Sequence, residues 1–479
     1  MSRAPVRRLR AFALVRDDDI PLHRQVYEHI RNAIRTGQLR PGDRLPSTRS
    51  LAELLGAARG TMDAAYAILV GEGYLVRRGA AGTAVNADLD GLAITGMAKT
   101  PRVASRPMRP AIPAPRPFQM GLPALDAFPR KVWSRLVAHH ARAFAPADMA
   151  YPDPAGYVPL REAIAGYLAT SRGVRCTAAE ILITNGYQDA VNLVADVLLK
   201  RGDKVWIEDP RFPPTGETLT AAGARLVPIR VDVEGLRVSD GVARARRARL
   251  AVVTPSHQNP LGVALSLPRR LALLSWAGAV GAWVIEDDYD SEFRYVGRPL
   301  PALKSLDRDE RVLYAGTFSK VLYPSLRLGY LVVPDSLLAT FVRSNRLRHM
   351  GPATLEQRVV ADFMATGHFG RHLKRMQALY AARRRALADG LCAIFGSRIS
   401  VDLKPGGMHL IARFDAGVSD FELATLAQSA GLAAEALSRR ATMPACGQGL
   451  LLGFTNIAEA DALDACRRLH RAIGKSLKK

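Results

Sequence analysis

The sequence predicts a multidomain chain, with a small N-terminal helical domain that ends in a strand–turn–strand and a much larger α/β domain on a mostly parallel sheet. Two observations predict it. Residues 21–85 hold three short helical patterns and then two strand patterns, whereas from Phe118 onward helical and strand patterns alternate. Between them lies a stretch rich in proline and arginine, and 479 residues are ample for two cores.

Pro21 opens the first helix, whose Leu22, Val26, Ile30 and Ile34 recur every four residues as a core-facing stripe, and Gly37 ends it. Pro41-Gly42-Asp43 is a turn. Ser47 caps a second helix, Thr48–Leu55, which Gly56 stops. A third helix spans about Arg59–Val70. Tyr74–Arg78, a Gly79–Gly82 turn and Thr83–Val85 then read as a wing, so residues 15–86 have the order of a winged helix-turn-helix. Residues 87–117 read as a linker. Six prolines and four arginines between 101 and 117 predict an extended segment with solvated arginines. In the large domain, 118–475, the strand candidates are Ile181–Thr184, Lys204–Ile207, Leu250–Thr254, Trp283–Glu286, Arg311–Ala315 and Tyr330–Val333.

The formal charge of +23 attracts polyanions, and DNA, RNA and acidic membranes all stay open on that ground. Residues 1–117 hold 19 Lys and Arg against 10 Asp and Glu, which leaves +14 to the other 362 residues. The N-terminal part is denser in positive charge without owning it all. Cys176, Cys392, Cys446 and Cys466 are widely spaced with no Cys-x-x-Cys, against a zinc site or disulfide scaffold and in keeping with a reducing cytoplasm. Met1–Arg10 is basic but lacks a following apolar core, so no signal peptide is expected. The longest apolar run, Leu271 to Ile285, is too short for a bilayer and reads as a buried helix, Leu271–Ala277, then a strand.

The most informative stretch is Gly316-Thr317-Phe318-Ser319-Lys320, with Arg327 seven residues on. A lysine that attacks an aldehyde needs a partly desolvated site, because only the neutral amine is nucleophilic. Thr317, Ser319 and the Arg327 guanidinium suit a phosphate. Aldehyde and phosphate on one ligand point to pyridoxal 5'-phosphate (PLP). Asn185-Gly186-Tyr187-Gln188 follows a strand and opens a helix, either as a phosphate cradle or as a plain N-cap turn. His257-Gln-Asn259-Pro-Leu-Gly262 follows a strand with Asn259 placed for a ring hydroxyl. Glu286-Asp287-Asp288-Tyr289-Asp290 follows another, and a carboxylate beside a pyridinium nitrogen keeps it protonated.

These motifs, in this order, resemble the fold-type I aminotransferases. The strings Thr254–Gly262, Glu286–Arg294 and Gly316–Lys320 are most similar to one branch, the MocR-type transcriptional regulators, in which a GntR-type winged helix precedes an aminotransferase-like domain. Arg44-Leu-Pro-Ser47-Thr-Arg49 and Gly71-Glu-Gly-Tyr74 carry the GntR resemblance. It implies that Lys320 forms a Schiff base with PLP, Asp287 pairs with the pyridine nitrogen, and Asn259 and Tyr289 bond the phenolic oxygen. Gly186, Tyr187, Gln188, Thr317, Ser319 and Arg327 would surround the phosphate, and Phe212 would neighbour the ring. Amino-acid-processing relatives place a carboxylate-binding arginine three residues before the phenylalanine of a C-terminal strand. Here that place is Leu451, which argues against an efficient transaminase and leaves Arg211 or Arg413 as substitutes.

In the small domain the third helix is the one that enters a major groove, with Arg59, Gly60 and Thr61 at its N-terminal end and Arg59 the best placed for a guanine. Arg44, Ser47, Thr48 and Arg49 suit phosphates, with a base contact open to Arg49, and Arg77, Arg78, Gly82 and Thr83 form the wing. Asp63 on the same helix either accepts from a cytosine amino group or faces away. The expectation is a cytoplasmic, homodimeric, DNA-binding regulator with bound PLP and no metal. PLP itself, an amine or an amino acid would be its effector.

Overall fold

The computed structural model describes residues 14–15, 20–91, 114–297, 300–414, 417–443 and 447–478. It divides into two compact units, 1–112 and 113–479. Most of the linker expected at 87–117 (residues 92–113) lies outside the described residues, as does Cys446.

In the first unit, α1 (Leu22–Arg35) buries Val26, Ile30 and Ile34 of the predicted stripe together with Tyr27 and Ala33, while Leu22 at its start is half-buried. The Ser47 hydroxyl accepts the Ser50 N–H at 3.1 Å to start α2 (Thr48–Leu55). Gly56 ends that helix at φ 62°, a left-handed turn that glycine takes without Cβ strain. α3 (Arg59–Gly71) packs Met62, Tyr66 and Leu69 against α1 and α2, and the Tyr66 hydroxyl donates to the Pro46 carbonyl at 2.9 Å. β1 (Leu75–Arg77) and β2 (Thr83–Val85) form the antiparallel wing. The Leu45 N–H donates to Thr83 O and the Val85 N–H to Asp43 O, each at 2.9 Å, so the chain ahead of α2 borders the wing.

The second unit begins with α4 (Arg130–Arg142) and α5 (Val158–Arg172), then β3 (Ile181–Thr184), α6 (Tyr187–Leu198) and β4 (Lys204–Asp209). Next come α7 (Pro213–Ala221), β5 (Arg225–Asp232), β6 (Gly235–Leu236), α8 (Val238–Ala245), β7 (Leu250–Val253), α9 (Leu267–Val280), β8 (Trp283–Asp288), β9 (Val312–Thr317) and β10 (Gly329–Val332). Then follow α10 (Asp335–His349), α11 (Leu355–Ala365) and α12 (His368–Phe395). A smaller region closes the chain with β11 (Ile399–Asp402), β12 (His409–Phe414), α13 (Asp420–Ser429), β13 (Glu435–Ala436), β14 (Leu450–Gly453) and α14 (Ala462–Ile473).

The main sheet runs β3-β10-β9-β8-β7-β4-β5-β6. Its centre, β5, β4, β7, β8 and β9, is parallel, and β10 pairs antiparallel with both β9 and β3. Both faces are covered: Ile181 and Ile183 enter one apolar cluster while Leu182 between them enters another. A second sheet, β11-β12-β14-β13, is antiparallel. The run from Leu271 differs from its sequence reading. α9 is longer and two-faced, with Leu273, Leu274, Trp276 and Ala277 buried but Leu271 52% exposed, because one side of a sheet-covering helix stays in water. The parallel strands β7, β8 and β9 all end at the same edge. The end of β8 carries Asp287 and Asp288, and the loops after the three strands carry Asn259, Tyr289, Asp290 and Lys320, the edge where open α/β sheets bind ligands.

Candidate cofactor cavity and nucleic-acid face

A cavity of about 310 Å³ opens at that edge, and of the eleven residues expected to hold PLP, all but Gly186 line it directly. Lys320 follows β9, and its Nζ donates to the Gly121 carbonyl at 2.9 Å. Burial lowers its pKa, opposed by the negative charges of Asp290 and Asp287, so the amine is biased toward the nucleophilic form. Asp287, 7% exposed near the end of β8, is pushed up to about 8 by burial, against a hydrogen bond from the Tyr187 hydroxyl that lowers it. A carboxyl in that position gains most from a protonated nitrogen as partner.

Asn259 and Tyr289 share a hydrogen bond, and the buried Oδ1 of Asn259 has no protein partner. A buried unsatisfied acceptor in a cavity wall suits a ligand hydroxyl. The Tyr289 hydroxyl also lies 3.0 Å from His257 Nδ1, which is 3.1 Å from Asp290 Oδ2. At the other end, Gly186 (φ 88°) caps α6, and a Cβ there would stand 3.5 Å from the Arg327 guanidinium. Arg327 itself holds φ 51°, a costly left-handed conformation for a side-chain-bearing residue, which aims it at the α6 N-terminus. The Ser319 N–H donates to Thr317 Oγ1 at 3.2 Å beside it. Free helical N–H groups, two hydroxyls and a guanidinium make an anion site. The Gln188 side-chain nitrogen is taken up by the Pro214 carbonyl at 3.0 Å and the Thr218 hydroxyl, so it braces α7 as well as lining the cavity. Phe212 stands at the N-terminus of α7 on the cavity wall.

The structure adds residues that the motifs did not mark. Gly121, Met408, His409, Glu435 and Arg440 also line the cavity, drawn from segments far from the lysine in sequence. Nothing in the Arg439-Arg440 doublet distinguishes it from surface charge, so no sequence signal marked it. Leu451 sits on β14, fully buried beside Ile411 and Leu437. Of the suggested substitutes, Arg413 stands apart from the cavity and donates to the Gln448 carbonyl, whereas Arg211, 3.6 Å from Asp209, lines an adjoining pocket that shares Tyr187, Phe212, Asn259 and Asp287 with it.

On the first unit, Arg44, Ser47, Arg49, Arg59, Gly60, Arg77, Arg78 and Gly82 are exposed, and Thr48, Thr61 and Thr83 are half-buried. Arg59 and Asp63 form an i,i+4 ion pair at 3.5 Å on α3, with side chains 69% and 50% exposed. Asp63 therefore lies beside Arg59. Arg49 pairs with Glu53 at 3.4 Å on α2 in the same way. Gly82 (φ 84°) closes the wing, where the Arg78 N–H donates to its carbonyl at 2.8 Å.

Residues 22–85 match the family "Bacterial regulatory proteins, gntR family", and residues 131–451 match "Aminotransferase class I and II". The chain is 40% identical to the probable rhizopine catabolism regulatory protein MocR of Rhizobium meliloti, over 93% of this chain and 92% of that one. The chain belongs to the MocR-type transcriptional regulators. This regulator is also 34% identical to the pyridoxine biosynthesis transcriptional regulator PdxR of Corynebacterium glutamicum, over 90% and 91% of the two chains. Among solved structures, the kynurenine aminotransferase of Pyrococcus horikoshii, in complex with PMP, is similar at TM-score 0.69 and 25% identity, covering 76% of this chain and 91% of that one. LysN, the α-aminoadipate aminotransferase of Thermus thermophilus complexed with N-(5'-phosphopyridoxyl)-L-leucine, gives TM-score 0.68 at 28% identity, covering 75% and 92%. The large unit of a MocR-type regulator thus has the fold-type I aminotransferase architecture, and no helix among the described residues is long and apolar enough to cross a membrane.

Proposed function

We propose that this regulator binds double-stranded operator DNA through its winged helix, holds PLP at Lys320, and changes its DNA binding in response to PLP itself or to a small amine or amino acid at the same cavity. The observation that carries the reading is the convergence of Lys320, Asp287, Asn259, Tyr289 and Arg327 on one cavity, with Gly186 beside Arg327, from four separate segments. When bound, PLP supplies an aldehyde that condenses with an amine, and a ring whose absorbance reports that chemistry. Lys320 would hold the aldehyde carbon, Asp287 the ring nitrogen, Asn259 and Tyr289 the phenolic oxygen, and Phe212 one ring face. Gly186, Tyr187, Gln188, Thr317, Ser319 and Arg327 would surround the phosphate. The buried Asn259 Oδ1 without a partner and the raised Asp287 pKa both fit such a ligand.

Arg59, Gly60 and Thr61 would read bases in the major groove, and Arg44, Ser47, Thr48, Arg49, Arg77, Arg78, Gly82 and Thr83 would hold the backbone. A homodimer suits twofold half-sites. The regulatory reading, rather than transamination, rests on Leu451 and on the names of the relatives. The test titrates PLP into cofactor-free protein on DNA from upstream of its own gene. A change in affinity or footprint that vanishes in Lys320→Ala is the expected result for PLP as effector. Cofactor binding with no effect on DNA moves the effector role to an amine or amino acid, and no lysine-dependent binding at all refutes the reading.

A further inference from the structure

Behind Tyr289, on the side away from the cofactor cavity, two groups converge on one ring nitrogen. His257 Nδ1 lies 3.0 Å from the Tyr289 hydroxyl and 3.1 Å from Asp290 Oδ2. Shape holds the ring there: a Cβ on Gly262 would stand 2.9 Å from its Nε2, and one on Gly407 would run into it. Asp290 is 1% exposed, and neither of its oxygens accepts a well-aligned hydrogen bond among the described residues. A carboxylate only accepts, and its burial is costly unless a proton faces it. The imidazole proton is therefore best placed on Nδ1, between Asp290 and Tyr289. In that tautomer Tyr289 receives from the ring, and its own O–H is left for the cavity. In the other tautomer Nδ1 is bare and draws the Tyr289 O–H to itself.

Other charges surround this group. Asp287 and Glu208 bear on Tyr289, and Arg440 bears on Lys320. The His409 ring is 5.9 Å from the His257 ring and is tied to the Pro260 carbonyl at 2.8 Å. Arg172, Arg294 and Lys404 line a second cavity of about 280 Å³ that His257 and Asp290 also line, with Arg172 paired to Asp288 at 2.7 Å and Lys404 to Asp402 at 3.0 Å.

We propose that Asp290 is a positioning residue that selects the Nδ1–H tautomer of His257 and thereby turns the Tyr289 hydroxyl toward the phenolic oxygen of the bound cofactor. This rests on the reading of the cavity as a PLP site. A hydroxyl that donates to that oxygen eases its negative charge and loosens its hold on the proton of the Lys320 Schiff base, so the visible absorbance of the loaded protein changes form at a lower pH. Asp290 then acts in two opposing ways. Its charge favours a protonated nitrogen at Lys320 and raises the pH midpoint, whereas its choice of tautomer lowers it.

The experiment loads the full chain with PLP and measures the pH midpoint of its visible absorbance. Tyr289→Phe should raise the midpoint by about 0.5–1 pH unit, the net worth of one hydrogen bond. Asp290→Asn removes charge and tautomer selection together in the native background, but only charge in the Tyr289→Phe background. The change it makes should therefore be more positive in the native background by about 0.5–1 pH unit. Equal changes in the two backgrounds, the result for charge alone, overturn the proposal. His257→Phe should leave the midpoint near its native value, since Tyr289 then has no ring nitrogen to serve, and should abolish the difference between backgrounds. A rise as large as that of Tyr289→Phe would put the effect on the imidazole alone and overturn tautomer selection. If Asp290→Asn loses the visible band, Asp290→Ala carries the same expectation, and if both lose it the His257→Phe midpoint decides. Failure of the native chain to gain a band that Lys320→Ala lacks overturns the cofactor reading and this inference together.

Discussion

The two units put their functional side chains in opposite settings. On α3 of the winged unit, Arg59 and Asp63 are 69% and 50% exposed and pair directly at 3.5 Å. In the large unit, Asp287 is 7% exposed and its pKa is displaced to about 8. Reading DNA needs side chains that reach out, so their charges are screened and their contributions graded. Holding an aldehyde needs an amine kept from water, so its setting is built from burial, and single changes act in an all-or-none way. Burial accordingly displaces several titrating groups around the cavity, Asp287 and Lys320 among them.

The largest effect expected from breaking this contrast lies at Lys320. Lys320→Ala should abolish the borohydride-reducible PLP adduct while leaving the circular dichroism spectrum intact, and mass spectrometry of the reduced protein checks it. An undiminished adduct would assign the cofactor to another lysine.

Asp287 comes next. Its folded pKa, raised by burial to about 8, exceeds the ordinary carboxylate value, so the folded state holds the proton more tightly. Its contribution to stability is complete below about pH 4 and is lost as pH rises toward 8, at up to about 1.4 kcal/mol per pH unit. Thermal melts of PLP-free protein between pH 5 and 8 should show this decline, and Asp287→Asn should flatten it. Added PLP should oppose it in the native chain, since a protonated ring nitrogen favours the ionised carboxyl. Equal slopes with and without the Asp287 carboxyl would place the pH dependence on Glu208 and Glu286, both raised to about 7 by burial.

On the exposed side, Arg59→Ala should cost about 1–3 kcal/mol at the specific operator and relax sequence preference, whereas Arg78→Ala should weaken specific and random DNA alike and reduce the salt slope by about one. Competition assays at two salt concentrations separate these. An equal loss on both DNAs for Arg59→Ala would remove its base-reading role. The smallest effect belongs to Asp63. An exposed i,i+4 pair is worth about 0.3–0.5 kcal/mol, so Asp63→Ala should leave the melting temperature nearly unchanged. It should instead alter which base Arg59 prefers, as shown by binding-site selection. An unchanged selected site would mean that the pair does not orient Arg59.

Several elements were legible in sequence because their signals are local. The Ser47 cap and the Gly56 stop enclose α2 at the residues their chemistry dictates, and the four-residue stripe of α1 is its buried face. Ile181–Thr184 was legible as a strand because an unbroken apolar run suits a sheet buried on both faces. The short antiparallel sheet was not, since β13 has two residues and carries no periodicity. Within the cavity, Lys320, Asp287 and Asn259 were legible because each stands in a motif at or just beyond the end of a strand, so strand order alone brings them to one edge. Gly121 and Arg440 were not, because they reach the cavity through long-range packing. Gly121 meets Lys320 across 199 residues.

What the sequence by itself determined is therefore the order of elements, the two-unit division into a winged helix and an α/β domain, and the chemistry offered at the ends of β7, β8 and β9. These follow from caps, periodicity and strand-end motifs, which depend on neighbours a few residues apart. What only the tertiary structure decided is the electrostatic state of those groups and the rest of the cavity wall. Whether Asp287 holds its proton, whether Asp63 lies beside Arg59, and whether an arginine faces Lys320 depend on which surfaces exclude water and which charges come together, and contacts between distant segments set both.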